Sequence, residues 1–137
     1  MFQEEVNGVA GAAVKKVALL KNKPLSYLLL SMLAGMFVGL GILLIFTIGG
    51  LLTAGGFAGT KIVMGISFGI ALSLVIMAGS ELFTGNNFVM TIGMYQKKVS
   101  FENALKLWGF CWIGNLIGSY NDSELTSCLD RVSLGNS

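Results

Sequence analysis

The 137 residues are 54% hydrophobic and only 12% charged, and the mean hydropathy is +0.77. A soluble domain carries about 25% charged residues, so this chain lacks the charge to cover a surface in water, and the bilayer is its natural solvent. The net charge of +2, with lysines at the borders of apolar runs, excludes a nucleic-acid binder, and the lack of histidine excludes a His-ligated metal site or histidine base within the chain.

Residues 1–23 place Val6, Val9, Ala10, Ala13, Val14, Val17 and Leu20 at helical spacing, with charges on the other face. This predicts an amphipathic helix lying on the membrane surface or on the protein's own cytoplasmic face. The segment has no apolar h-region or cleavage site, so no signal peptide is expected. Pro24 suits a helix start.

No charge occurs from Pro24 to Thr60. One crossing needs about 20 residues. Residues 25–48 are therefore expected to form the first spanning helix, followed by a flexible connection at Gly49, Gly50, Gly55 and Gly56. The second span is expected over residues 61–95, with Lys61 snorkelling to the interface at its start. It is interrupted at residues 80–87, the polar patch Ser80-Glu81-Leu82-Phe83-Thr84-Gly85-Asn86-Asn87, and resumes for about two turns. A third apolar helix is expected over 102–119. Residues 120–137 are polar, lack periodicity and are expected to be irregular. Of the two cysteines, Cys111 reads as a small core residue, and no disulfide framework is indicated with Cys128.

The interruption carries the chemistry. In hydrocarbon, a non-helical break survives only when protein buries it or when it lines a cavity. Broken helices expose helix ends that attract ions, and an ionisable group at that depth, here Glu81, points to function. Thr84 offers a hydroxyl, and Asn86 and Asn87 can cap the restarting helix. An ordinary loop outside the membrane is the competing reading, but the second piece is too short to cross alone.

Two motifs then stand out. Gly79-Ser80-Glu81-Leu82-Phe83-Thr84 resembles the acidic-Leu-Phe-Thr loop of the formate/nitrite transporter family. Gly114-Asn115-Leu116-Ile117-Gly118 is similar to its third-helix signature. The resemblance covers about residues 10–119 and is nearest to the hydrosulfide channels of anaerobic bacteria. It implies an all-α transmembrane fold: three membrane helices with the second broken, one repeat of an aquaporin-like six-helix inverted-repeat channel. It also implies assembly as a homo-pentamer of the full-length protein, with a pore in each subunit. By position, Thr84 would stand beside the central anion site. Phe68 and Leu72 would form constrictions, Leu82 and Phe83 would line the pore, and Glu81, Gly85, Asn86 and Asn87 would complete the broken-helix loop. Phe68 and Leu72, four residues apart, do share a helix face; by residue type alone they serve lipid-facing or core packing equally well.

The implied function is a channel for small monovalent anions (formate, nitrite or hydrosulfide) in a bacterial cell membrane. No metal, cofactor or enzymatic step is expected. The lysines before the first span and at Lys97/Lys98 place the N-terminus in the cytoplasm. Members of this family are about twice as long. The absence of a second repeat, and the loss of resemblance from Tyr120, lead us to expect a truncated or frame-shifted chain whose half-walled pore leaves Glu81 facing lipid. Alternatives are a small membrane assembly protein built on the Gly35/Gly39, Gly65/Gly69 and Gly114/Gly118 pairs, or a neutral-solute pore, against which the Asn-Pro-Ala loop is missing.

Overall fold

The computed structural model describes residues 2–135, with side chains over 2–127. The chain is all-helical: α1 (Phe2–Asn22), α2 (Pro24–Ala54), α3 (Thr60–Met77), α4 (Phe83–Tyr95) and α5 (Phe101–Gly135). Helices α2 and α3 are long and apolar enough to cross a membrane, and most of their surface is exposed apolar side chain. Helix α5 is long enough but too polar to meet the same measure.

Helix α2 is the centre, packed on one side by α5 and on the other by α3. The α2–α5 contact is a backbone approach. A Cβ on Gly35 would lie 2.1 Å from the Asn115 carbonyl oxygen, and one on Gly118 would lie 1.9 Å from that of Met32. Glycine is required at both positions because only its missing side chain lets the two helices touch. Helix α1 packs against α4 and α2 and so covers the protein itself. It buries Ala10, Ala13 and Val17, and Ala13 stands where a Cβ on Gly93 of α4 would intrude.

Three expectations are corrected. Gly49 and Gly50 lie inside α2, and the connection is the short turn of residues 55–59, which keeps Gly55 and Gly56. Gly49 is a packing site: a Cβ there would meet Met64 Sδ of α3 at 2.7 Å. Residues 120–135 continue α5 and are not irregular. Propagating a nucleated helix adds a bond for each residue fixed, and polar side chains bond back along it. The Asn121 amide donates to the Ile117 carbonyl and the Thr126 hydroxyl to that of Asp122, both at 2.9 Å. The side chains of Cys128, Asp130 and Arg131 lie outside the described residues. The third correction concerns Glu81: it is not turned outward but buried, 5% exposed.

Candidate functional site: the break between α3 and α4

Helix α3 ends because Gly79 takes a positive φ of 61°, a conformation that only glycine adopts without cost. The Gly79 N–H then reaches the Ile76 carbonyl and the Ser80 N–H reaches that of Val75, closing the last turn. The Ser80 hydroxyl donates to the same Val75 oxygen. Leu82 is extended (φ −91°, ψ 132°), and α4 starts at the next residue.

The break survives because other helices satisfy its backbone. The Glu81 N–H donates to the Leu30 carbonyl of α2 at 3.1 Å. From α5, the Asn115 amide donates to the Glu81 carbonyl at 2.9 Å and to that of Ser31 at 2.8 Å, and its Oδ1 accepts the Phe83 N–H at 3.0 Å. One side chain thus ties the loop to α2 and caps α4. The Cys111 thiol also donates to the Glu81 carbonyl, at 3.1 Å. Among the described residues, no buried side-chain nitrogen or oxygen lacks a partner.

The Glu81 carboxylate pairs with Lys16 of α1. The amphipathic helix, expected on the membrane surface or on the protein's own cytoplasmic face, therefore supplies the counter-charge for the broken loop, and this is why Glu81 does not face outward. A buried carboxylate with a hydrogen-bonded cation avoids the several kcal/mol that a lone buried ion costs.

Asn86 does not cap α4, because the helix begins three residues earlier. Its side chain is buried and donates to the Tyr27 hydroxyl at 2.8 Å and to Cys111 Sγ at 3.2 Å. Asn87 makes no cap either; its carbonyl accepts the Thr91 hydroxyl within the helix. Thr84 and Gly85 are exposed on the first turn of α4, where N–H groups have no intrahelical acceptor.

A cleft of about 380 Å³ beside the break is lined by Leu72, Leu82, Gly85 and Asn86, with Lys16 and Ser80. The structure thus brings together four of the residues singled out from sequence. Phe83 lies on the other side of the loop, in a cleft with Gly35, Trp112 and Asn115. Phe68 sits one turn before Leu72, 39% exposed. Sequence reasoning gave Lys16 a part only in topology and Asn115 only a place in the third-helix motif, and it assigned no role to Tyr27 or Ser31. That motif signalled Asn115, but not its bonds to the loop. Lys16 gave no signal, being one lysine among several.

The comparisons agree with this geometry. A model of the Formate/nitrite transporter family matches residues 3–121. The chain is 44% identical over 119 residues to the nitrite transporter NirC of Salmonella typhimurium, covering 87% of this chain and 43% of that protein. It is 41% identical over 111 residues to a probable formate transporter of Methanothermobacter thermautotrophicus, covering 78% and 40%. A solved FNT family ion channel superposes with a TM-score of 0.85 at 42% identity, over 91% of this chain and 49% of that one. The chain thus spans less than half the length of the curated relatives it matches, and the match ends just past the third-helix signature. With its broken helix, its Asn115 clamp and these relatives, the chain is a membrane protein that belongs to the formate/nitrite transporter family.

Proposed function

We propose that this chain supplies one half of a passive channel for small monovalent anions, and that the α3–α4 break is its anion site. Helices α2, α3 with α4, and α5 act as three spans, with the second interrupted. The polar part of α5 beyond residue 121 lies outside the family match. The lysine-bearing ends face the cytoplasm. The carrying observation is that the break is held by α2 and α5 through Glu81, Phe83 and Asn115, so a non-helical segment persists among apolar helices.

Two features support an anion over a cation, the helix-end N–H groups and the neutralised Glu81, and two more suit a small ion of either sign. The free N–H groups of Thr84 and Gly85 stand at the positive end of α4, and the Thr84 hydroxyl is exposed beside them. Glu81, the carboxylate of the loop, is already neutralised by Lys16. Leu72 and Leu82 line the neighbouring cleft, where an ion must shed water to pass. In this reading Phe68 and Leu72, on one face of α3, are the hydrophobic constrictions, and Leu82 and Phe83 line the path near the loop. The relatives named above carry nitrite and formate in their names, so the substrate class is the small planar or linear monovalent anion, hydrosulfide included.

A conducting pore requires a second wall of comparable size, supplied by a second three-helix unit, and the completed subunits assemble as pentamers. The 137-residue chain alone is expected to give no nitrite or formate flux in proteoliposomes. Co-purified with the second half of the 44%-identical NirC, it is expected to conduct. Flux through the chain alone, or none through the co-purified pair, would overturn this reading. The alternative of an assembly protein without transport has one observation in its favour: Gly65 and Gly69 on α3 meet nothing within 4 Å. A stable flux-free complex with an unrelated membrane protein would support it.

A further inference from the structure

Two clefts meet at Lys21, away from the break. One, of about 270 Å³, has a floor of Val14, Val17 and Val99 and a rim of Lys21, Lys98 and Asn103. The other, of about 210 Å³, shares Val17, Lys21 and Asn103 and extends over Leu20, Pro24 and Phe110. Both lie where α1 and α4 end and α2 and α5 begin, at the margin of the apolar spans.

The lysines around these clefts differ in their commitments. Lys106 is bound to Glu102 at 2.6 Å. Lys16 is bound to Glu81. Lys21 and Lys98 are exposed, and among the described residues neither has a carboxylate within ion-pair distance. Lys98 reaches only the Asn7 side-chain oxygen, at 3.5 Å. Two ammonium groups without an ion-pair partner among the described residues therefore overhang an apolar floor; Glu102, already held by Lys106, lies near enough for Lys21 to act on it only from beyond ion-pair distance. A free phosphate would leave that floor wet, and a neutral lipid would leave both cations unused. A ligand with an anionic head and an apolar tail uses both.

We propose that these joined clefts bind an anionic phospholipid, its phosphate between Lys21 and Lys98 and an acyl chain along Leu20, Pro24 and Phe110. The inference rests on the membrane placement of the spans and is independent of anion conduction, because its test reads lipid and not flux. Basic pockets between membrane helices at a charged leaflet take such headgroups.

The test is native mass spectrometry of the purified 137-residue chain from detergent micelles containing phosphatidylglycerol, phosphatidylcholine or inorganic phosphate. Phosphatidylglycerol is expected to stay bound where phosphatidylcholine does not, and phosphate is not expected to displace it. The double substitution Lys21→Gln with Lys98→Gln should weaken retention by about 25-fold, from the attraction of two lysines. Lys15→Gln with Lys23→Gln, which removes the same charge outside the clefts, should leave it unchanged. Equal retention of both lipids, displacement by phosphate, or equal losses in the two double variants would each overturn the proposal.

Discussion

The α2–α5 contact and the outer face of α3 carry the same sequence pattern and put it to opposite uses. On α2 and α5, glycines four residues apart sit at a seam where no Cβ fits: Gly35 against Asn115, Gly114 against Ser31, Gly118 against Met32. On α3, Gly65 and Gly69 face open space, flanked by exposed Ile62, Ile66 and Ile70. A small-residue pair therefore marks a capacity for close approach, and only the presence of a partner decides whether it is used. The seam also holds the Asn115 clamp, so packing too close for a Cβ lies directly behind the candidate site.

The sharpest break of this comparison is Gly118→Val. Its side chain would collide with backbone that cannot swing away, and we expect a loss of more than about 3 kcal/mol, read as earlier unfolding when the dodecyl sulfate fraction of mixed micelles is raised. Retention of native stability would mean that the seam is looser than described. Asn115→Leu comes next. It strips partners from the Phe83 N–H and from the Glu81 and Ser31 carbonyls, and we expect a cost of about 2 kcal/mol in the same titration. Faster amide exchange should accompany it at the start of α4, and an unchanged exchange pattern there would show that the loop does not need the clamp. The smallest effect belongs to α3. Gly65→Ala or Gly69→Ala should be neutral or stabilising by up to about 1 kcal/mol, because alanine is the better helix former and nothing is in its way. A loss comparable to that of Gly118→Val would erase the contrast between the two faces.

Much of this was legible in sequence. Periodicity placed α1, and the polar patch in an apolar run located the break, because water-free surroundings leave few reasons for such a patch. The glycine pairs foretold close approach but not which pair would find a partner, since that depends on contacts many residues apart. For the same reason Gly49 read as a linker, although it seats Met64. Composition suggested an irregular end after Tyr120 because polar residues there lack an apolar stripe. It could not register that α5, already under way, extends by adding one backbone bond at a time. Asn86 suited a cap by residue type; burial against Tyr27 and Cys111 gave it another partner set.

The pairing of Lys16 with Glu81 also bears on biosynthesis. The two residues are 65 positions apart, and the lysine comes first. On a chain growing from its amino end, the cation leaves the ribosome before the carboxylate is made, so α1 is already there when the loop forms. The acidic group need never be buried without its counter-ion.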